Sequence, residues 1–194
     1  MTIHQIVNSI FRSCSYVLCQ DGNSWLVDCG DVDQILPLID GNLRGVLLTH
    51  AHFDHIYGLN QLLVLYPEVS IYTNQAGIVN LLSDKLNFSR YYGDPIVLSE
   101  PSNVCCVSDM QDVALFEGAS AQAVFTPGHS PCCVTWKLAD ALFTGDSYIP
   151  GVKTVTNIPH SDKALAMESE ALIKLMAEHR TIYPGHAPQC APQL

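Results

Sequence analysis

The chain has 194 residues, of which 48% are hydrophobic and 14% charged, and its net charge is −10. This size and composition predict one globular domain, residues 1–194, with a substantial core. The acidic balance argues against nucleic acid as a partner, because binding to phosphates needs a basic patch. No apolar run approaches the roughly 18 residues of a membrane helix, and no signal peptide is recognisable. We therefore expect a cytoplasmic protein with no membrane partner.

The first half of the chain predicts three strands, followed by alternating helices and strands. The three strands are expected over residues 3–10, 15–19 and 24–28, with a hairpin turn at 21–23. Asp31 is expected to cap a short helix that runs to about residue 40. A buried strand at 45–49, helices at 58–66 and 74–83, and a strand at 69–73 complete this half.

The second half predicts a long loop, more strands and the longest helix. Residues 84–101 show no clear period and predict a surface loop near a site. Further strands are expected over 104–107, 113–116, 122–126, 134–138, 141–144 and 180–183. The long helix begins at Ser161 or Asp162, and its predicted apolar face carries Leu165, Leu172, Leu175 and Met176. Two halves of this kind predict an α/β (α+β) fold, a four-layer αβ/βα sandwich whose two sheets pack face to face.

Residues 49–55 read THAHFDH and contain four side chains that can bind a metal ion. They follow an apolar run at 45–48, so the end of a strand presents these side chains toward one point. Imidazole together with carboxylate suits zinc, iron or manganese. The four candidate ligands in this stretch are His50, His52, Asp54 and His55.

Three further strand ends each carry one residue of the same type. The segments read TPGHS, TGDS and YPGH, and they supply His129, Asp146 and His186. In each segment a glycine allows the backbone to approach closely next to the candidate ligand. Each is weak evidence alone, but three of them downstream of THAHFDH point to one composite metal site.

In this order the four motifs resemble the metallo-β-lactamase superfamily, and most of all its glyoxalase II-like branch. VDCG at 27–30 and LSDKLNFS at 82–89 are similar to segments of that branch. The resemblance implies the metallo-β-lactamase fold and two divalent metal ions, zinc in the first place and iron or manganese as alternatives. It implies one ion held by His50, His52 and His129, a second held by Asp54, His55 and His186, and Asp146 as a bridge between the two. Asp28 resembles the carboxylate that orients a ligand histidine.

The activity that this resemblance implies is the hydrolysis of a small thioester or ester of the hydroxyacyl-thiol type. Two ions that share a hydroxide supply the nucleophile, with Asp54 and Asp146 as the catalytic residues beside it. The expected partner is a small-molecule substrate, and the oligomeric state is left open. Tyr148 and Lys153 are candidates for substrate contacts, and Tyr91 and Tyr92 on the long loop are weaker ones.

The chain departs from the branch in two places. It ends eight residues after His186, without the helical extension that binds glutathione in longer members. Residues 148–153 also depart from the usual Gly-Arg or Gly-Lys segment. Both departures weaken the expectation of a glutathione thioester.

Several other functions are weighed within the same fold. A lactone hydrolase would use the same metal chemistry, and a persulfide dioxygenase would use one iron at His50, His129 and Asp146. The charge disfavours an RNA nuclease, and the unmixed ligand set disfavours a β-lactamase. A binding module that has lost its site is disfavoured because all seven ligands are present.

Overall fold

The computed structural model describes residues 1–187 as two β-sheets packed face to face. One sheet has the strand order β1-β2-β3-β4-β5-β6 and the other has the order β11-β10-β9-β8-β7. The strands are β1 (Thr2–Val7), β2 (Cys14–Gln20), β3 (Asn23–Val27), β4 (Asn42–Leu47), β5 (Ser70–Thr73), β6 (Val104–Cys106), β7 (Asp112–Phe116), β8 (Ala119–Phe125), β9 (Val134–Leu138), β10 (Ala141–Gly145) and β11 (Thr181–Pro184). The helices are α1 (Val32–Ile35), α2 (Phe53–Ile56), α3 (Leu59–Leu65), α4 (Gln75–Leu81) and α5 (Lys163–Met176), with 3₁₀ turns at Leu36–Leu38, Ser89–Tyr91 and Pro101–Asn103.

Strand β2 shows how the first sheet separates two hydrophobic layers. Its side chains alternate between the two faces, as the period of a strand requires. Tyr16 and Leu18 join the cluster between the sheets, which also contains Trp136. Val17 and Cys19 join the cluster under the helices on the other face. The first sheet is therefore buried on both sides, in the predicted sandwich arrangement.

The strand directions bring the loops that matter for function to one edge. β3, β4 and β5 run parallel to one another, and β10 runs parallel to β11. β8 and β10 also share a direction, because both pair antiparallel with β9. The carboxyl ends of parallel strands meet at the same edge of a sheet, so the segments that follow β3, β4, β8, β10 and β11 can converge.

The predicted order of strands and helices is confirmed, with one correction to how the strands are shared. We assigned the strand near residue 104 to the second half of the chain. It pairs instead with β5 as the parallel edge strand of the first sheet, with Val104 opposite Ile71. The long loop between α4 and β6 makes this crossover, which the pattern of apolar residues cannot reveal.

The predicted apolar face of α5 is wrong. The buried positions are Ala166, Ser169 and Ile173, whereas Leu165, Leu172 and Leu175 are 40–66% exposed. The helix lies so close to the TPGHS turn that a Cβ atom on Gly128 would lie 2.3 Å from the Cα of Ala166. Only small side chains fit at such a close contact. A search for large apolar residues at helical spacing therefore selected the wrong face of α5.

Helix starts follow the prediction in part. Asp162 caps α5, since its carboxylate accepts from the N–H groups of Ala164 and Leu165. Asp31 also stands at the N-cap position of α1 as predicted, but its carboxylate caps no N–H of the helix, because it accepts from Ser9, Gln34 and Tyr57 instead. None of the helices within residues 1–187 has the length and apolar character needed to cross a membrane.

Candidate metal centre

All seven predicted ligand side chains meet at the edge where the strand ends converge. His50 and His52 lie in the loop after β4, and Asp54 and His55 lie in the short helix α2 that begins right after His52. The remaining three follow β8, β10 and β11, as predicted: they are His129, Asp146 and His186. Five of the seven are buried, and Asp146 and His186 are partly exposed.

The donor atoms form two groups that Asp146 connects, since a third triad of His50, His55 and Asp146 takes one histidine from each group. In the first, His50, His52 and His129 offer atoms within 4.8 Å of one another, and His129 Nε2 lies 3.0 Å from His52 Nδ1. In the second, Asp54, His55 and His186 meet the same limit. Asp146 Oδ2 lies 3.4 Å from His129 Nε2 and 3.3 Å from His186 Nε2, so one carboxylate reaches both groups.

Four of the five histidines are anchored through the ring nitrogen that faces away from the centre. His186 Nδ1 donates to the carbonyl of Phe11 at 3.0 Å, and His129 Nδ1 donates to the carbonyl of Val155 at 2.9 Å. His55 Nδ1 lies 2.9 Å from Asp28 Oδ2. These partners accept hydrogen bonds only, so in the neutral rings the Nε2 atoms carry lone pairs.

Asp28 organises the base of the centre. Its Oδ1 accepts from the N–H of Thr49 at 2.7 Å, and its Oδ2 accepts from the Thr49 hydroxyl at 2.6 Å and from His55. Because the Thr49 proton is committed to Asp28, the hydroxyl oxygen at 3.2 Å can only accept from His50 Nδ1. Asp28 therefore contacts His55 directly and His50 through Thr49, and its role in orienting these rings stays a prediction.

The donor set fits metal ions. His55 Nε2 and His186 Nε2 lie 3.4 Å apart, and a cation between them, either a shared proton or a metal ion, would stabilise this approach. Buried His50 Nε2 and Asp146 Oδ1 have no hydrogen-bond partner among residues 1–187. Ligand atoms about 2.1 Å from a tetrahedral ion are separated by roughly 3.4 Å. The observed separations of 3.0–3.6 Å match that spacing.

The charges of the centre also suit a cation. Burial, with the neighbouring histidines, lowers the pKa of His52 to about 3 and that of His50 well below its ordinary value, so both rings are neutral at pH 7. Burial opposes a charge on His55 too, but the carboxylates of Asp54 and Asp28 outweigh it and raise its pKa to about 10. These carboxylates attract a metal cation for the same reason that they attract a proton.

A cavity of about 480 Å³ opens onto the two groups of donors. His52, Asp54, His129, Asp146 and His186 form its floor. The walls are mostly apolar: the aromatic side chains are Phe11, Phe53, Phe88, Tyr91 and Tyr92, and the aliphatic ones are Val155, Ile158 and Pro159. The long loop at 84–101, which the sequence placed near a site, contributes three of these aromatic side chains.

The two residues chosen as substrate contacts lie elsewhere. Within the described chain, neither Tyr148 nor Lys153 borders the cavity. The ring of Tyr148 lies under the Lys174 ammonium group, 5.5 Å from its centroid, and Lys153 is exposed. The weaker candidates, Tyr91 and Tyr92, do border the cavity.

Sequence reasoning missed several residues of the wall. Lys85 and His160 are its polar members, so the lysine that borders the cavity is Lys85 and not Lys153. Lys85 lies in the LSDKLNFS segment, whose resemblance to the glyoxalase II-like branch did not indicate which side chain faces the site. Phe11 is 175 residues from His186 in the chain, so no local signal could connect the two.

Comparison with known proteins places this geometry in a family. The chain matches the Metallo-beta-lactamase superfamily over residues 11–186, a range that contains every strand end described above. The chain belongs to this superfamily. Its relatives include a probable metallo-hydrolase, YqgX of Bacillus subtilis, which is 30% identical over 90% of this chain and 85% of the relative.

Other relatives and structures place the chain within the superfamily. A hydroxyacylglutathione hydrolase of Hydrogenovibrio crunogenus is 27% identical over 86% of this chain, which spans only 54% of that relative. The BLEG-1 B3 metallo-beta-lactamase has a TM-score of 0.85 and 26% identity, with 96% of this chain and 92% of that chain covered. TTHA1623, solved in a di-iron-bound form, has a TM-score of 0.76 and 25% identity over 95% and 92% of the two chains. The predicted fold is confirmed, and the relatives indicate an enzyme of the metallo-hydrolase type.

Proposed function

We propose that the protein is a dinuclear metal-dependent hydrolase that cleaves a small thioester or ester. The observation that carries this proposal is the pair of donor groups joined by Asp146 at the floor of a substrate-sized cavity. The hydroxyacylglutathione hydrolase among the relatives supports a thioester as the substrate, although this chain matches only part of that protein.

The proposed ligands divide as the donor groups do. His50, His52 and His129 would hold one ion, Asp54, His55 and His186 would hold the other, and Asp146 would bridge them. Bound divalent ions lower the pKa of a coordinated water to about 7 and polarise a carbonyl group. The imidazole and carboxylate donors suit zinc first, and TTHA1623 supports iron as the alternative.

The side chains of this protein would provide position, charge and a place for a proton. Asp54 Oδ2 lies 3.4 Å from His186 Nε2 and 3.6 Å from His55 Nε2, at the point where the cavity meets the second donor group. The Asp54 carboxylate borders the cavity, so it is placed to accept a proton from a group that reacts there. The main chain of Asp54 is held in place, because its carbonyl accepts from the Ser13 hydroxyl at 2.7 Å.

Turnover of thioesters by the zinc-loaded protein is the test of this proposal. We expect release of free thiol from simple acyl thioesters, a loss of more than about 100-fold after removal of metal by a chelator, and recovery when zinc is returned. Asp54→Asn should reduce kcat by about 100-fold or more, since it removes a carboxylate that is both a proposed metal ligand and placed for proton transfer. Asp31→Asn, a carboxylate outside the centre, serves as the control and should retain activity.

The same assay separates the alternatives. A lactone and a β-lactam belong in the panel, because a lactonase would use the same centre and BLEG-1 is a B3 metallo-beta-lactamase. Oxygen consumption with a persulfide tests for the one-iron dioxygenase at His50, His129 and Asp146. Oxygen uptake without hydrolysis of any thioester or ester would refute the proposed function.

A further inference from the structure

Three aromatic side chains from three separate segments form one wall of the cavity. The rings of Phe53 and Tyr92 stack with centroids 4.7 Å apart, and Phe11 meets each of them edge-on at 5.5 Å. Phe11 and Tyr92 are nevertheless 57% and 62% exposed. Aromatic rings are among the side chains that gain most from burial. The exposed ring faces therefore offer apolar surface that a ligand can cover.

This wall is attached to the metal centre through the main chain. The carbonyl group of Phe11 accepts from His186, and that of Val155 accepts from His129, while both side chains border the cavity. Phe53 directly follows His52. The distance between the apolar wall and the donor atoms is thus fixed by hydrogen bonds and covalent geometry. Such a wall can hold an apolar group at a set distance from a bond that reacts at the centre.

Three residues that border the cavity have an uncommon backbone conformation. Phe11, Phe88 and His160 have left-handed φ angles, between 52° and 68°. Residues other than glycine rarely adopt this conformation. Phe88 also lies against the ligand His52, with the ring centroids 4.9 Å apart.

Phe88 and His160 divide the space beside the centre into two chambers. Both residues border the aromatic cavity and also a second cavity of about 370 Å³, and His52 reaches both cavities. The second cavity lacks the stacked aromatic wall, and its lining combines the polar side chains of Asn80 and Ser130 with smaller apolar ones. An ester or thioester has two limbs that diverge from one carbonyl group. Two chambers that meet at His52 match that shape.

We propose that the aromatic chamber selects substrates whose acyl group is apolar, with an aromatic ring or a medium-length aliphatic chain. The leaving-group limb would extend along the second chamber. Outside the donor residues, eight of the ten residues that line the first cavity are aromatic or aliphatic, which disfavours a small hydroxyacyl group there. This inference rests on the proposed hydrolase function and specifies its substrate class.

A series of thioesters of N-acetylcysteamine tests the inference, because only the acyl group changes along it. We expect kcat/KM to be at least about tenfold higher for the phenylacetyl than for the acetyl or lactoyl compound, since burial of the ring adds apolar contact. Both Tyr92→Ala and Phe11→Ala should lower this ratio of kcat/KM values to about threefold or less. Phe11→Ala keeps the main-chain carbonyl that anchors His186. Leu175→Ala, an exposed apolar residue on α5, is the control and should keep the wild-type ratio.

Binding without turnover provides a second readout. Calorimetry with the zinc-loaded protein should show phenylacetate binding at least about tenfold more tightly than acetate, with the difference lost in Tyr92→Ala. Equal affinities and equal kcat/KM values along the series would overturn the inference and leave the hydrolase proposal intact. Selective binding of phenylacetate without hydrolysis of any thioester or ester would refute the hydrolase proposal and support the apolar chamber.

Discussion

At the scale of single residues, the centre depends on which nitrogen of each histidine carries the proton. Main-chain carbonyls, Thr49 and Asp28 hold the outward nitrogens of four rings, so the inward nitrogens are free to bind metal. The candidate ligands themselves were predictable, because each follows a strand and three of the seven lie beside a glycine. The anchors were not, because a carbonyl belongs to every residue and carries no signature in the sequence.

Asp28→Asn tests this role of Asp28. The side-chain amide of this variant can accept from the N–H of Thr49 only if its NH₂ group faces His55 Nδ1. His55 would then accept a hydrogen bond at Nδ1 and carry its proton on Nε2, so Nε2 could not bind metal. We expect the affinity for the second metal ion to fall about 10–100-fold, measured by competition with a chromophoric chelator. The first ion should be held more nearly as in the wild type, because His129 has its own anchor.

The control for this variant is Asp31→Asn, which changes a carboxylate three residues away in the chain. Asp31 accepts from Ser9 and Tyr57 and has no contact with the ligand histidines. The Asp31→Asn variant should bind both ions with wild-type affinity. If Asp28→Asn also binds two ions as tightly as the wild type, Asp28 does not orient His55.

The misplaced substrate residues have a physical explanation at the same scale. Tyr148 and Lys153 were chosen because they closely follow Asp146 in sequence. The ring of Tyr148 packs instead against Lys174 of α5, and a tight turn closed by a bridge between Ile149 and Val152 comes before Lys153. The chain returns to the cavity only at Val155, so proximity in sequence was a poor guide.

At the scale of elements, α5 and the turn before His129 fix each other. Gly128 has a φ angle of 138°, and its hydrogen atoms face the backbone of Ala166. The Gly128 carbonyl also accepts from the N–H of Asp162, the residue that caps α5. The position of His129 therefore depends on the small side chains of α5, the face that hydrophobic periodicity failed to predict.

Gly128→Ala should destabilise the protein by about 3 kcal/mol or more, because overpacking against backbone adds to the strain of a positive φ angle. The matched control is Gly93→Ala, whose φ angle of 147° is similar but whose added Cβ would have no heavy atom within 4 Å. We expect that control to lose only about 1 kcal/mol. Urea denaturation of the two variants measures the difference, and equal losses would show that the contact with Ala166 is not tight.

At the scale of the whole molecule, the fold was predictable because strands, helices and motifs agree. Runs of apolar residues indicated the strands. The four motifs at strand ends could form one metal site only if those strand ends lie at one common edge. The crossover of β6 to the first sheet depends on pairing between segments more than 30 residues apart, which no local pattern encodes. The aromatic chamber depends in the same way on three distant segments that meet only in the folded protein.

The number of bound metal ions tests the central claim most directly. Elemental analysis of purified protein should find close to two transition-metal ions per chain, and Asp146→Ala, which removes the shared carboxylate, should lose most of the metal and the activity. Asp140→Ala, on the hairpin between β9 and β10, is the control and should keep both ions. About one iron per chain, with no turnover of thioesters or lactones, would contradict the dinuclear hydrolase.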